Sequence, residues 1–353
     1  MHSFGDLGPN EPLIGVEGSR SALSTPALLL DLDRMERNIA HMAARTRQSG
    51  HGLRPVAKIH KSIEIAKRQV AAGALGVCCA TLAEAEVMAD GGVPGVLLFS
   101  SVVSEPKINR LAALNARAEG LLVAVDDATN VDQLAHAARG AGMQLRMLVD
   151  YEVGGRRTGI ADEVTAIALA KHINATEGVE YAGLQGYYGG LQNTLDYDER
   201  TRLQAICVAP LARLIELLSA ENLAPAIVTG GGSGTYQIDP VQGVLTENQS
   251  GTYIFMDVNY IDTVFEREMP HPFEVALLVR TTVISASHPD YVVTDAGIKE
   301  FAREAFAPRI LSGPAAGAIY ELIGDDLGRV ATPADSMRLG VGEALECVTP
   351  HCY

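Results

Sequence analysis

The amino-acid sequence predicts a (β/α)8 barrel of the TIM type, an α/β fold, followed by a smaller domain that is mostly β-structure. Between about residues 25 and 260, short apolar runs alternate with longer segments of helical periodicity. The runs are continuously apolar, which is typical of strands buried on both faces of a parallel sheet. From about residue 261 onward, β-branched segments are separated by Gly, Asp and Pro, which indicates strands joined by turns.

Eight apolar runs are the candidates for the barrel strands. Their alternation with helical segments favours parallel pairing, and eight such units favour a closed barrel. An open doubly wound sheet is the alternative, but the GxGxxG turn expected after its first strand is absent from the sequence. The runs lie at 53–58, 76–80, 95–100, 120–126, 145–152, 181–188, 226–230 and 252–256.

The prediction divides the chain into a barrel at 25–260 and a mostly β domain made of 1–24 and 261–353. The net charge of −15 argues against nucleic-acid binding, which needs a basic surface. The five cysteines form no CxxC pair and fit a reducing compartment, and no apolar run reaches the roughly 18 residues of a membrane helix. We therefore expect a cytoplasmic protein that binds neither nucleic acids nor membranes.

Lys58 is the first candidate for a reactive residue, because the C-terminal ends of barrel strands carry active sites. It lies in the segment RPVAKIHKS, and His60 and Lys61 follow within three residues. Burial and neighbouring cations lower the pKa of a lysine and free its amine to attack a carbonyl carbon. The spacing alone also allows solvated lysines at the mouth of the barrel.

A glycine-rich loop, TGGGSGTY at 229–236, follows the seventh apolar run. Consecutive glycines let backbone N–H groups converge on an anion, and a phosphate in the late loops of a barrel is a recurrent arrangement. A flexible turn that needs positive φ is the alternative. Together with an activated lysine, a phosphate site indicates pyridoxal 5'-phosphate. The cofactor-binding candidates in the loop are Thr229, Gly231, Gly232, Ser233 and Gly234.

Two further groups of polar residues follow predicted strands. Arg157 lies in the RTG turn after the run at 145–152, where an arginine can pair with the phenolate oxygen or ring nitrogen of the cofactor. Tyr187 and Tyr188 end the next run. Because the carboxyl ends of barrel strands share one face, we expect these groups to lie near Lys58.

The segments occur together, and in the same order, in a known family. The chain resembles the fold-type III pyridoxal-phosphate enzymes in PALLLDLDRMERNI, RPVAKIHKS, RTG, GLQGYYG, TGGGSGTY and GTYIFMDVNY. Among them it resembles the D-threonine aldolase and D-serine dehydratase family and looks closest to the 3-hydroxy-D-aspartate aldolases. The resemblance implies a barrel like the N-terminal domain of alanine racemase, a first strand that joins the C-terminal β-domain, and a homodimer.

The resemblance also implies roles for individual residues. Lys58, rather than Lys61, holds the cofactor as a Schiff base, with Arg157, Tyr187 and Tyr253 among the cofactor-binding residues. The aldolases have a histidine that acts as the base at the position of Tyr188. A phenol, with a pKa of about 10, is a weaker base near neutral pH. His60, which has the more suitable pKa, and a metal-bound water are the other candidates.

A divalent metal (Mn, Mg or Zn) beside the cofactor is a further implication of the resemblance. The family holds it with a histidine and a second ligand two residues later, near the C-terminus. The corresponding segment is TPHCY, which places His351 in the first position and Tyr353 in the second. A neutral tyrosine is a poor ligand for these ions, so the second ligand is in question.

The resemblance implies a lyase, an aldolase that cleaves the Cα–Cβ bond of a D-β-hydroxy-α-amino acid of the D-threonine or 3-hydroxy-D-aspartate type. The products are glycine and an aldehyde. A D-serine or 3-hydroxyaspartate dehydratase, which eliminates the β-hydroxyl group, is one alternative. A racemase of the same fold that needs no metal is another. A non-catalytic cofactor carrier is a third, but the domain beyond residue 261 argues against it.

Overall fold

The computed structural model describes residues 8–303, 306–312, 315–332 and 339–352. They form two compact units. The larger unit contains Glu36–Ile254 and Asp262–Phe273, and the smaller contains 8–35, Phe255–Ile261 and Glu274–Cys352. These bounds differ from the predicted ones. Residues 25–35, which include the first turn of the first helix, and 255–261 belong to the smaller unit, and 262–273 belong to the larger one.

Strands and helices alternate through the larger unit, and the smaller unit is built of strands. The strands are β1 (Ala27–Leu30), β2 (Gly52–Leu53), β3 (Cys78–Cys79), β4 (Leu97–Leu98), β5 (Leu122–Val125), β6 (Leu145–Asp150), β7 (Val179–Gly186), β8 (Ile227–Gly230), β9 (Glu247–Asn248), β10 (Leu277–Ser285), β11 (Tyr291–Thr294), β12 (Arg309–Ser312), β13 (Tyr320–Leu322), β14 (Gly328–Ala331) and β15 (Ala344–Val348). The helices are α1 (Leu32–Ser49), α2 (Ile63–Ala71), α3 (Leu82–Asp90), α4 (Glu105–Asn115), α5 (Ala128–Gly140), α6 (Glu163–Ala175), α7 (Tyr197–Ala220) and α8 (Asp239–Gln242).

The larger unit is a parallel (β/α)8 barrel, which confirms the predicted fold class. Its eight strands pair in the order β2-β9-β8-β7-β6-β5-β4-β3. A parallel bridge between Val56, just after β2, and Cys78 in β3 joins the two ends of this sheet and closes the ring. The ring places the carboxyl ends of all eight strands on one face, where the predicted reactive residues also fall.

The barrel helices begin at side chains that satisfy their first N–H groups. Thr81 and Glu84 form a reciprocal capping box at the start of α3. Asp127, Asp162 and Asp196 each accept a hydrogen bond from an N–H in the first turn of α5, α6 and α7. These caps fix where each strand-to-helix loop ends, and the loops carry the candidate site.

Alternating side chains of the strands build two apolar layers. The outer layer, between strands and helices, is large and includes Leu98, Val123 and Val149. The inner layer, inside the ring, is small and includes Leu97 and Leu148. The strands are therefore buried on both faces, which explains their continuously apolar sequence.

The eighth barrel strand was predicted at the wrong place. The apolar segment at 252–256 contains a 3-10 turn, Thr252–Ile254, and the strand is Glu247–Asn248. Both strand residues are buried, but they are polar and are satisfied by side-chain hydrogen bonds from Arg54 to Glu247 and from Asn248 to Asp239. A search for apolar runs cannot find this strand, because its buried residues are polar and are paired with other polar side chains.

The smaller unit contains one sheet of antiparallel strands, as predicted. β10 is its central strand and pairs with β1, β11 and β15. β15 also pairs with β12, and β14 joins β11 to β13. The first strand of the chain thus joins the C-terminal β-domain, as the family resemblance implies.

Helix α7 is long and apolar enough to span a membrane by length and composition alone. Within the fold, its Leu211, Leu214 and Leu218 are fully buried in the outer apolar layer of the barrel. The buried side chain of Arg200 on the same helix donates hydrogen bonds to the carbonyl oxygens of Gly234, Thr194 and Val264. Its hydrophobic face is therefore used within the barrel.

Candidate active site

Lys58 lies just beyond the carboxyl end of β2, in a single 3-10 turn that spans Ala57–Ile59. The side chain is partly exposed. Burial lowers the pKa of its amine, the nearby Arg157 guanidinium lowers it further, and the Glu84 carboxylate opposes both effects. More of this amine is therefore in the neutral, nucleophilic form than in a surface lysine.

Two carboxylates hold the turn that carries Arg157. The Thr158 hydroxyl donates to Oδ2 of Asp150 at 2.7 Å, and the N–H of Gly159 donates to Oδ2 of Asp126 at 3.1 Å. Burial raises the pKa of Asp150, and its hydrogen bonds and Arg157 oppose that rise. Because Asp150 ends β6 and Asp126 directly follows β5, the turn is fixed to the ring rather than free in solvent.

Arg157 and Tyr187 lie together at this end of the barrel. The guanidinium carbon of Arg157 is 5.2 Å from the centre of the Tyr187 ring, which is a cation–π contact. Burial raises the pKa of Tyr187, and the charge of Arg157 opposes that rise. The structure thus brings together Lys58, Arg157 and Tyr187, three of the residues that the sequence singled out.

A layer of polar side chains lies inside the ring below this face. Gln185 Nε2 donates to Asp150 Oδ1 at 3.0 Å, and Gln249 Nε2 donates to the Thr229 hydroxyl at 3.0 Å. The N–H of Gln249 also donates to the Gly230 carbonyl at 2.8 Å, and the next residue, Ser250, accepts from the N–H of Val56 at 3.0 Å. One strand end therefore links the Lys58 segment to the glycine loop.

The glycine loop at 230–234 is packed so closely that it has no room for side chains. A Cβ on Gly231 would lie 2.1 Å from Oδ2 of Asp239, and one on Gly234 would lie 1.8 Å from the carbonyl oxygen of Gln192. Gly231 also has a φ of +62°, a conformation that favours glycine. The glycines are therefore required for this backbone path, and a closely approaching ligand meets backbone atoms here.

Hydroxyl groups beside the loop are suited to an anion. Ser233 Oγ accepts the N–H of Tyr253 at 3.1 Å, so its own O–H hydrogen is available to a ligand. The Thr252 hydroxyl is buried and has no hydrogen-bond partner among the described residues. An orphaned buried hydroxyl is costly, and a bound group that accepts its hydrogen removes that cost.

The barrel and this site match known proteins over most of the chain. The family described as the alanine racemase N-terminal domain matches residues 30–258, and the D-serine dehydratase-like domain matches residues 276–352. A D-threonine aldolase from Arthrobacter sp. is 36% identical over 343 residues, which cover 97% of this chain and 87% of that protein. The chain belongs to the fold-type III pyridoxal-phosphate enzymes.

Two further proteins are similar to this fold-type III enzyme. A 3-hydroxy-D-aspartate aldolase from Paracoccus denitrificans (strain Pd 1222) is 33% identical over 336 residues, 94% of this chain and 86% of that protein. The crystal structure of D-threonine aldolase from Filomicrobium marinum superposes with a TM-score of 0.89 at 36% identity, covering 94% of this chain and 88% of that one. These matches confirm the resemblance that the sequence segments indicate.

In this fold-type III enzyme, both ring nitrogens of His60 form hydrogen bonds. Nδ1 accepts the N–H of Ser62 at 3.0 Å, so Nε2 carries the hydrogen and donates to Gln69 Oε1 at 3.3 Å. Gln69 in turn donates to the Tyr253 hydroxyl at 2.9 Å. Burial lowers the pKa of His60 to about 4. These contacts favour a structural role for His60 over that of the base.

Tyr188 turns toward the helices. Its ring packs against the outer apolar layer and against Gly155, and a Cβ on Gly190 would lie 2.6 Å from its hydroxyl oxygen. Neighbouring residues at a strand end point to opposite faces, and Tyr187 occupies the other face with Arg157. Tyr188 therefore has its hydroxyl at the turn after β7.

His351 lies in the smaller unit of the fold-type III enzyme beside a buried carboxylate. Its Nδ1 is 2.8 Å from Oδ2 of Asp257, which also accepts the N–H of Cys352 at 3.2 Å. Oδ1 of Asp257 is buried without a partner among the described residues. No group of three or more potential metal-binding residues occurs in the described part of the chain. Tyr353, the second predicted ligand position, lies outside it.

Several residues of the site were missed by sequence reasoning. Asp150 was visible in principle, because it is an acidic residue at the end of an apolar run. Gln192 lies in a loop and Asp239 opens a four-residue helix, and neither has a distinctive sequence signal. Both are found only from their contacts with the glycine loop.

Proposed function

We propose that this fold-type III enzyme is a pyridoxal-phosphate-dependent aldolase. Its substrate would be a D-β-hydroxy-α-amino acid of the D-threonine or 3-hydroxy-D-aspartate type, cleaved to glycine and an aldehyde. One observation carries the proposal. At one end of the barrel, a lysine of lowered pKa is connected to a loop that has room only for backbone atoms. The relatives named as aldolases support the substrate class.

The residues at this end of the barrel fit pyridoxal phosphate. Lys58 would hold its aldehyde carbon. The Ser233 hydroxyl, with backbone N–H groups of the glycine loop other than those of Gly232 and Gly234, would hold its phosphate. The orphaned Thr252 hydroxyl adds a donor beside Ser233. When bound, the cofactor withdraws electrons from the Cα of an amino acid joined to it, which is what the cleavage requires.

Cleavage moves one proton away from the substrate's β-hydroxyl group. As a base takes that proton, the oxygen forms a double bond to Cβ, the Cα–Cβ bond breaks, and its electron pair remains on Cα. Cα then takes a proton to give glycine. His60 is poorly suited to be the base, because both of its ring nitrogens are hydrogen-bonded. The other candidates are a metal-bound water and Tyr188, which holds the position of the family base but has its ring on the helix side of the barrel. We assign the role to Tyr188, whose hydroxyl would have to turn toward the barrel mouth to reach the substrate.

The assignment of Tyr188 is tested with two substitutions. Tyr188→Phe keeps the ring packing but removes the hydroxyl, so kcat should fall about a hundredfold with little change in melting temperature. Tyr188→His, which restores the family residue, should retain activity or raise it. Steady-state kinetics on D-threonine measure both, and an active Tyr188→Phe variant would show that another group is the base.

We further propose that His351 binds a divalent cation such as Mn²⁺, Mg²⁺ or Zn²⁺. The proposal is supported by the Asp257 carboxylate, which accepts the Nδ1 hydrogen of His351 and so favours the tautomer in which Nε2 can bind a metal. EDTA treatment should lower activity and Mn²⁺ should restore it. Metal content measured before and after is the direct readout, and no metal above a His351→Ala control would overturn this part alone.

The reaction class is tested with purified enzyme, added pyridoxal phosphate and six amino acids: D- and L-threonine, D- and L-serine, and both enantiomers of 3-hydroxyaspartate. An aldolase gives glycine with acetaldehyde or glyoxylate from the D-forms. A dehydratase gives a keto acid and ammonia. A racemase only inverts Cα, which gives the other enantiomer of serine and the corresponding diastereomer of threonine or 3-hydroxyaspartate. Either of these outcomes, or no product from any substrate, would contradict the aldolase proposal.

Lys58→Ala tests the cofactor itself. The visible absorbance band of lysine-bound pyridoxal phosphate should disappear, and activity should fall to below about one-thousandth of the wild-type value. Lys61→Ala is the matched control and should keep the band. Two remaining proposals have separate tests. Ultracentrifugation of the purified protein should show a homodimer, and fractionation of cells that express it should place it in the cytoplasm.

A further inference from the structure

A buried carboxylate, Asp239, lies beneath the glycine loop. It is 1% exposed and opens the short helix α8. Its oxygens accept three hydrogen bonds from three parts of the barrel: Gln204 Nε2 at 2.6 Å, the Thr235 hydroxyl at 2.8 Å and Asn248 Nδ2 at 2.7 Å. The side chain therefore joins helix α7, the end of the glycine loop and strand β9.

The carboxylate fills the space that a side chain on the loop would need. Oδ2 of Asp239 lies 2.1 Å from the position of a Cβ on Gly231, and Asn248 Nδ2 lies 2.7 Å from the same position. Asn248 also donates to the carbonyl oxygen of Gly232 at 3.3 Å. Two side chains thus support the loop backbone at Gly231 and Gly232.

Thr235 connects Asp239 to the rest of the loop through hydrogen bonds of its hydroxyl group. Its hydroxyl donates to Asp239 and accepts the N–H of Gly232 at 3.1 Å. The N–H of Gly234 is held by Gln192 Oε1 at 3.1 Å. The N–H groups of Gly232 and Gly234 are therefore used inside the loop, and this internal bonding sets the direction of the backbone between them.

The groups that bond to the carboxylate are all neutral. A buried carboxylate without a cation is expensive for a fold. Burial raises the pKa of Asp239 to about 7, and only the three hydrogen bonds oppose that rise. The described barrel therefore keeps an energetically costly buried carboxylate at the point where Asp239 contacts the glycine loop.

We propose that Asp239 is a positioning residue that holds the loop 231–235 in the shape that receives the phosphate of the cofactor. The proposal rests on the proposed function, because it assumes that the loop binds that phosphate. Asp239 acts through Gly231 and Thr235 and does not touch the ligand. Its loss should weaken the grip on the phosphate and leave the chemistry of Lys58 unchanged.

The experiment compares pyridoxal phosphate with pyridoxal, which lacks the phosphate. Each is titrated into the cofactor-free protein, and the visible band that forms with Lys58 gives the affinity. In Asp239→Asn an amide N–H₂ faces other donors, so the phosphate form should bind about ten- to a hundredfold more weakly. The affinity for pyridoxal should stay within about twofold of wild type.

Asp127→Asn is the matched control, because it makes the same charge change at an N-cap where asparagine serves equally well. It should change neither affinity. If Asp239→Asn does not fold, Gln204→Met removes one of the three hydrogen bonds without touching the loop and should give a smaller effect with the same selectivity.

Equal loss of affinity for both ligands would mean a general structural role and would overturn the inference, and so would no loss for either. Failure of the proposed function looks different. In that case the wild-type protein forms no visible band with either ligand, and both proposals fall together.

Discussion

The charge of Arg157 lowers the pKa of the Lys58 amine, and only burial lowers it more. Replacing Arg157 with a neutral residue of similar length should therefore raise the pKa of Lys58. In the Arg157→Gln variant we expect the pH midpoint for modification of Lys58 by pyridoxal to move upward, so that the rate near neutral pH falls severalfold.

The matched control is Arg156→Gln, which removes the charge of the neighbouring residue in the same turn. Arg156 does not contribute to the lowered pKa of Lys58. Its variant should keep the wild-type midpoint. An equal shift in both variants would mean that net charge, and not the position of Arg157, acts on the lysine.

His60 gives the folded protein a sensitivity to acid. Its pKa is lowered to about 4 by burial, below the value of about 6.5 in an unfolded chain. As pH falls from 6.5 to 4, the unfolded state gains a proton that the folded state does not. The free energy of unfolding should therefore decrease by about 3 kcal/mol from this residue, and the decrease should end near pH 4.

Denaturant unfolding of wild type and His60→Gln across that pH range measures the effect. Glutamine can keep one of the two hydrogen bonds but does not titrate, so the difference in stability between the two proteins should shrink as pH falls. A constant difference would show that His60 is protonated equally in the folded and unfolded states.

At the scale of residues, the sequence identified candidate site residues where an unusual residue type occurs at the end of a predicted strand. Lys58 and the glycine loop could be singled out because a lysine and consecutive glycines at strand ends are unusual on physical grounds. The contacts of His60 could not, because its partner Gln69 has no pattern that marks it. The direction of Tyr188 depends on the register at the end of β7, which a run of apolar residues does not define.

At the scale of elements, a glycine-to-alanine substitution should have opposite effects in the glycine loop and in helix α5. Gly234→Ala places a methyl group 1.8 Å from a backbone oxygen of Gln192, so the backbone must move. We expect weaker binding of pyridoxal phosphate and a lower melting temperature. Gly140→Ala, at the end of α5 with nothing within 4 Å, should be neutral or stabilise by up to about 1 kcal/mol.

Thermal melting and cofactor titration of the two alanine variants provide the comparison. Unchanged cofactor affinity in Gly234→Ala would mean that the loop is more adaptable than its packing indicates. The loop's length and glycine content were readable from the sequence. The reason for each glycine was not, because the atoms that exclude a side chain come from Gln192 and Asp239, distant in the chain.

At the scale of the whole barrel, one buried ion pair connects the segment after β2 to β9. Arg54 Nε lies 2.8 Å from Glu247 Oε1, and both side chains are nearly inaccessible. Arg54 also donates to the carbonyl oxygens of Leu75 and Gly95, which precede β3 and β4. The pair thus connects the strands on both sides of the closing bridge.

Removing one partner should leave a buried charge, so Arg54→Met should lower the free energy of unfolding by about 3–5 kcal/mol. The double variant Arg54→Met with Glu247→Met removes both charges and should recover much of that loss. Chemical denaturation measures the three proteins. A double variant no more stable than the single one would mean that the hydrogen bonds to Leu75 and Gly95 matter more than the charge pair.

The barrel as a whole could be predicted because continuously apolar runs report burial on both faces, and the ring buries both. Its closure was expected only from the number of strand–helix units, and the contacts that make the seam were not. The seam depends on a bridge between Val56 and Cys78, which lie in the first two predicted runs, and on two polar residues of β9, which the apolar pattern did not detect. Strand pairing, and not chain order, assigns β1 to the smaller unit, so the limits of the two units differ from the predicted ones.

The packed glycine loop has a consequence for anyone who wishes to alter what the enzyme accepts. Because Gly231, Gly232 and Gly234 each meet other atoms where a side chain would begin, libraries that randomise the loop should return mostly inactive clones. Variation is better placed in the turn after β6, where a Cβ on Gly155 would make only ordinary van der Waals contacts. Variation in aldehyde preference, among laboratory variants and natural relatives alike, should accumulate there.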